Sequence, residues 1–159
     1  MIDYRNWSIS LGRRFRALKI WFVIRSYGVN GLKAHIRKTI RVGEDFTSLV
    51  RSRSDLFELI TKPAFGLTVF RIKDSRAQVN GSAVNGTIVA KPNAKHDALT
   101  KEVYELINSR GEIFITSTVV SGIYAIRVIC ANEAADEKYL RRAFEILVET
   151  TDEVLGQSN

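Results

Sequence analysis

Cysteine, histidine and proline are scarce: 159 residues hold one, two and two of them. The single cysteine, Cys130, cannot form an internal disulfide. Its apolar setting, Ala125 to Ala131, reads as core rather than nucleophile. His35 and His96 lie far apart in sequence, so no His/Cys cluster has metal-ligand spacing and no metal is expected. His35 reads as a surface or partly buried helix residue, and His96 as a helix-entry residue in a polar linker. Glycine-rich phosphate loops of the G-x-G-x-x-G or P-loop kind are absent, and neither Ser117 nor Ser121 lies in a G-x-S-x-G elbow. No apolar run nears the ~20 residues that span a bilayer. The longest, Ile20 to Ile24, lies between Lys19 and Arg25. The opening MIDYRNW lacks the apolar stretch of a signal peptide. These absences predict a protein of the reducing cytoplasm, with no membrane partner.

Charge is present but unevenly placed. The net charge is +7, yet residues 1–41 hold ten Lys and Arg and one acid, Asp3. That segment is +9 and the remainder −2. Such density suits a nucleic-acid footprint. The same residues are mixed with Trp21, Phe22, Val23 and Ile24, however, and a groove-reading helix does not usually bury so much apolar surface. A free-standing basic module binding nucleic acid or a protein partner is therefore the alternative reading.

Periodicity predicts a helix from Arg13 to about Arg41, which Phe46, Leu49 and Val50 extend toward Ser52. Phe15, Leu18, Trp21 and Phe22 follow helical spacing, and Leu32, Ile36 and Ile40 resume it. Gly28 and Gly31 predict a kink near residues 27–31. Phe15 to Ile24 is apolar almost all round, which predicts burial between two layers. Leu56–Ile60 and Phe65–Ile72 read as an antiparallel strand pair around Lys62-Pro63. Residues 74–96 read as a polar insertion, with a short hairpin arm around Gly86–Ala90. Asp97 is expected to cap a helix closing near Gly111. Glu112–Val119 and Ile123–Ala131 read as two more strands, joined through Ser121-Gly122. Asn132 is expected to cap a last helix with Tyr139, Leu140, Ala143, Phe144, Leu147 and Val154 on its inner face. The predicted class is α+β: a long helix, then β-β-α-β-β-α with a four-stranded antiparallel sheet covered on one face by helices. The boundary expected is an inter-domain segment over 1–54 and a small domain over 55–159.

A resemblance adds to this reading. The runs Asp3-Tyr4-Arg5-Asn6-Trp7, Leu11-Gly12-Arg13-Arg14-Phe15-Arg16-Ala17-Leu18-Lys19-Ile20-Trp21-Phe22-Val23 and Tyr27-Gly28-Val29-Asn30-Gly31-Leu32 resemble the C-terminal portion of the group II pyridoxal-phosphate decarboxylases. Within these they are most similar to the aromatic-L-amino-acid decarboxylases. Weaker likeness continues through Phe70-Arg71, Leu106-Ile107-Asn108, Arg127 with Cys130, and the last helix.

The resemblance implies a homodimeric carboxy-lyase of fold type I, turning tryptophan, DOPA or tyrosine into amines. The cofactor, pyridoxal 5'-phosphate, is held by a lysine Schiff base in a large N-terminal domain, and this chain matches the small C-terminal domain. No histidine here is followed by lysine, so no catalytic or cofactor-binding residue is expected in this chain, which is expected to be inactive alone. For substrate binding the resemblance implies Gly12, where the family places Gly or Ser beside the aromatic ring. Arg127 falls where related aminotransferases hold a substrate carboxylate. Arg5, Arg13, Arg14 and Arg16 are expected to pair with acids of the large domain, with Trp7 and Trp21 as anchors. An aromatic aldehyde synthase on the same scaffold is a further alternative.

Overall fold

A computed structural model describes residues 15–73, 92–132 and 135–157, and the backbone of 83–84 and 87–88. The elements run α1 (Ala17–Ser52), β1 (Phe57–Leu59), β2 (Leu67–Ile72), β3 (Ala83–Val84), β4 (Thr87–Ile88), α2 (Ala94–Arg110), β5 (Thr116–Val120), β6 (Ile123–Ile129) and α3 (Glu137–Gln157). The chain forms two compact units, Met1–His35 and Ile36–Asn159.

In the first unit, the predicted kink falls at Gly28, whose φ of 64° and ψ of 177° break the helical path. A left-handed φ costs a side chain energy that glycine does not spend. Trp21 and Phe22 meet edge to face at 5.2 Å, and the Arg25 guanidinium lies over the Trp21 ring at 5.9 Å. The expected burial of Phe15–Ile24 is not found. Phe15, Ile20, Trp21 and Phe22 are each more than half exposed among the described residues.

The second unit is built on an antiparallel sheet in the order β1-β2-β6-β5. Phe57, Leu59, Phe70, Ile72 and Ile126 alternate onto the face that meets the helices. Val42, Phe46 and Val50 of α1, Leu99, Val103 and Ile107 of α2, and Leu147 and Val154 of α3 complete this core. At its centre Phe57 and Phe70 lie 5.5 Å apart, Phe57 and Phe144 5.9 Å, Phe46 and Phe70 6.3 Å, and Phe46 and Phe144 6.4 Å. Four rings thus tie α1, β1, β2 and α3 together.

Helix α1 reaches the sheet through a glycine contact. A Cβ on Gly43 would lie 2.3 Å from Gly66 Cα, so backbone meets backbone there. Gly66, with φ 79°, follows Phe65, with φ 51°. Ser121 and Gly122 repeat this left-handed pair between β5 and β6, at φ 51° and 80°, the geometry of a two-residue hairpin turn.

Helix α2 stops the strands with polar side chains. Thr100 Oγ1 accepts from Ile72 N at 3.1 Å, and Asp97 Oδ1 accepts from Tyr124 N at 3.3 Å. Asn108 takes both backbone groups of Ile115, accepting from its N–H at 3.0 Å and donating to its carbonyl at 3.2 Å. This grip starts β5 at Thr116 rather than at Glu112.

Three caps and faces differ from expectation. Asn93, not Asp97, caps α2, its Oδ1 accepting from Lys95 N and His96 N at 3.0 and 3.3 Å. Asp97 is taken by Tyr124 instead. Gly111, with φ 71°, ends the helix as predicted. Helix α3 begins at Glu137, five residues beyond Asn132, with Asp136 Oδ1 accepting from the Glu137 N–H at 2.9 Å, while Asn132 O accepts from Ala135 N in a separate turn. Tyr139 is 61% exposed with Lys138 Nζ 4.8 Å over its ring, so it is not on the inner face. The hairpin arm exists as β3 paired with β4, Ala83 opposite Ile88, slightly earlier than expected. Replacing Asn93 with alanine removes the α2 cap. It should lower the urea unfolding free energy by about 1 kcal/mol, with the m-value unchanged.

Candidate functional site

The sheet face opposite the helices is where charge and apolar surface meet. Ile60, Val69, Ile123 and Ala125 form a second, smaller buried cluster there. Glu58 and Arg71 face each other across β1 and β2. Arg71 is buried and donates through Nε and Nη2 to Glu58 Oε2 at 2.7 Å from each. That pairing commits Arg71 to the fold: a buried guanidinium requires its carboxylate.

Arg127 differs from Arg71. It sits on β6 opposite Val69 of β2 and Thr116 of β5, on the same face, with its side chain exposed. Thr116 Oγ1 donates to the Arg127 carbonyl at 3.2 Å, fixing the backbone. Its guanidinium has no ion pair among the described residues and remains available to a group from outside. Gly12, Arg5, Arg13, Arg14 and Trp7 lie outside the described residues. The structure therefore does not bring Gly12 and Arg127 together in one described site.

The basic segment keeps its charge on the surface. Arg16, Lys19, Arg25, Lys33, Arg37 and Arg41 are exposed. In the first unit the exposed Phe15, Trp21, Phe22 and Val29 lie among these cations. Cys130 is buried at 4% exposure, and its burial pushes the thiol pKa upward, so it is a core group and not a thiolate nucleophile. His96 is buried in the first turn of α2, deeper than a polar linker would place it. Among the described residues no group of His, Cys, Asp and Glu is placed to hold a metal ion, and no helix is long and apolar enough to cross a membrane.

What sequence reasoning missed are the strand stops Asp97, Thr100 and Asn108 and the Glu58–Arg71 pair. Only the last had a signal, a charged residue in an otherwise apolar strand.

Comparison with known proteins extends these observations. The profile described as the pyridoxal-dependent decarboxylase conserved domain matches residues 1–73. The aromatic-L-amino-acid decarboxylase of Catharanthus roseus is 33% identical over 99% of this chain. The chain is thus similar to pyridoxal-dependent decarboxylases along nearly its whole length, with the family profile itself confined to residues 1–73. It spans 28% of that Catharanthus relative's length. The crystal structure of Catharanthus roseus tryptophan decarboxylase in complex with L-tryptophan superposes with a TM-score of 0.73, at 31% identity, over 96% of this chain and 28% of that one. The 4-hydroxyphenylacetaldehyde synthase of Rhodiola rosea has the same TM-score of 0.73 at 31% identity, over 96% of this chain and 30% of its own.

The described residues do not fit pyridoxal phosphate. The cofactor needs a lysine held in a protected cleft. No described lysine is buried. A cleft of about 240 Å³ between α1 and α3 is lined by Asp45, Phe46, Ser48, Leu49, Glu137, Leu140 and Arg141, with no lysine. Its cation is already engaged, Arg141 Nη2 lying 2.6 Å from Glu137 Oε1. No catalytic step can be assigned to these side chains.

Proposed function

We propose that this chain is the small C-terminal part of a pyridoxal-phosphate-dependent decarboxylase of aromatic L-amino acids, and that it is inactive by itself. The observation that carries this is the exposed apolar and cationic helix of residues 15–29, on a chain with the family's fold. An apolar patch of that kind marks a surface meant to be covered. The cover proposed is the large domain of the relatives, whose acids would answer the +9 of residues 1–41. Residues 1–54 then serve as the inter-domain segment, and the whole enzyme is a homodimer of the cytoplasm.

In this reading Gly12 borders the aromatic ring of a tryptophan-, DOPA- or tyrosine-type substrate, leaving room for a bulky indole. Arg127 offers its exposed guanidinium to a substrate carboxylate or to the domain interface. Aldehyde synthase chemistry is the second reading, favoured by the equal structural likeness to the Rhodiola rosea enzyme.

Borohydride reduction of the purified chain with pyridoxal phosphate tests the assignment. The expected result is no stoichiometric adduct at a single lysine and no carbon dioxide from tryptophan or DOPA. Adding the large domain of a relative should restore cofactor binding, and the product, amine or aldehyde, then separates the two readings. One specifically labelled lysine with turnover by the chain alone overturns the proposal. Tight nucleic-acid binding that falls steeply with salt would instead favour the basic module.

A further inference from the structure

The cleft between α1 and α3 joins an apolar floor to a rim whose charges do not cancel. Asp45, Ser48 and Leu49 come from one turn of α1, and Glu137, Leu140 and Arg141 from the start of α3. Each trio has the i, i+3, i+4 spacing of a single helix face. The floor is Phe46, fully buried and held edge to face against Phe144 at 6.4 Å. That ring belongs to the core, so it does not swing out to close the space. Leu49 and Leu140, both partly buried, form the walls. On the rim, Arg141 is taken by Glu137, its Nη2 and Nε lying 2.6 and 3.0 Å from the same Oε1. Asp45 has no hydrogen bond or ion pair among the described residues. Ser48 spends its proton on Glu44 O at 2.9 Å, which leaves its Oγ free to accept.

We propose that this cleft binds a small organic cation: a primary ammonium joined by a short chain to one aromatic ring. The ammonium sits at the Asp45 carboxylate and the Ser48 hydroxyl, and the ring rests on Phe46 between Leu49 and Leu140. The sign of the ligand follows from the rim. A carboxylate would have to take Arg141 from Glu137 and would then face two acids. A bare metal ion does not fit either, since no described group of acids is placed to hold one and the apolar floor would go unused. The size follows from the volume. About 240 Å³ lies below the roughly 300–1,000 Å³ of sites for drug-sized molecules, so there is room for one ring and not for a larger body. One exposed charge contact and a partly covered ring give weak binding, with a dissociation constant on the order of 1 mM. The chemistry of the cleft is independent of the proposed reaction, although that reaction would release a molecule of this kind.

Titration of the full chain with 2-phenylethylammonium, followed by residue-resolved amide shifts, tests the site. The expected result is saturable shifts at Ser48, Leu49, Leu140 and Arg141 that weaken as salt is raised. Ethylammonium, which lacks the ring, should bind about tenfold more weakly. Phenylacetate, with the same ring and the opposite charge, should not saturate the site. Asp45→Asn should weaken the amine roughly threefold or more, with the urea midpoint unchanged because the side chain is exposed. Ser48→Trp fills the cleft from its rim and should abolish the shifts, which keeps the test open should the Asn variant fold poorly. Equal binding of phenylacetate, unchanged affinity in Asp45→Asn, or shifts centred on Trp21 and Phe22 instead would overturn the proposal. So would the lack of any saturable shift with the wild-type chain.

Discussion

Phe70→Ala should lower the unfolding free energy by about 4 kcal/mol, read from the urea midpoint. The ring is fully buried in the middle of β2, against Phe46 and Phe57, in a strand paired on both sides. Three elements hold its walls, so the space left by the ring collapses little and the cavity adds to the lost transfer energy. Domains of this kind are stable by about 5–15 kcal/mol, so the variant should be partly unfolded at 37 °C. Phe114→Ala is the control. That side chain is 82% exposed, and its loss should change stability by no more than about 0.5 kcal/mol. Equal effects at the two sites would mean that the ring cluster is not the centre of the core.

Gly43→Ala should cost about 3 kcal/mol, at the upper end of what overpacking does. Two effects oppose each other. Alanine favours a helix over glycine by about 1 kcal/mol. Its Cβ, however, would lie 2.3 Å from Gly66 Cα, where no rotamer change can relieve it. Gly66 cannot retreat freely, since its own Cβ direction ends 2.9 Å from Thr39 O. The clash wins. Gly156→Ala isolates the other effect: nothing lies within 4 Å of the added Cβ on α3, so this variant should gain up to about 1 kcal/mol. The two substitutions are chemically identical and should have opposite signs in the same urea titration.

Much of the fold was legible because its signals are local. The Gly28 kink, the Gly111 stop, the Ser121-Gly122 turn and the order of strands and helices each follow from a few neighbouring residues. The errors arose where a second group, near or distant in sequence, competed for a side chain. Asp97 has the chemistry of a cap, and so has Asn93; Tyr124 N, 27 residues away, decides which one serves. Tyr139 fits the apolar spacing of α3, but its ring takes Lys138 at the surface. The apolar run Phe15–Ile24 has the composition of a buried helix, yet its side chains are exposed among the described residues. The site was less legible for the same reason. Arg127 alone of the predicted pair lies in the described residues, and its partners, if they come from another domain, leave no mark on this sequence.

The strand order has a consequence for how the molecule assembles. The β5–β6 hairpin closes through two residues already disposed to its turn, and such hairpins form in roughly microseconds. Joining β2 to β6 is a different event, because the chain must close the whole loop from Phe70 to Ile126 before the first bond forms. The entropy of that closure grows only logarithmically, by about 0.6 kcal/mol for each doubling of the loop. The polar stretch after Lys73 lies inside this loop. Its length is therefore nearly neutral for stability, and residues can be gained or lost there while the sheet keeps its register. The step it slows is the meeting of the two central strands, which sets the pace of folding for the entire sheet.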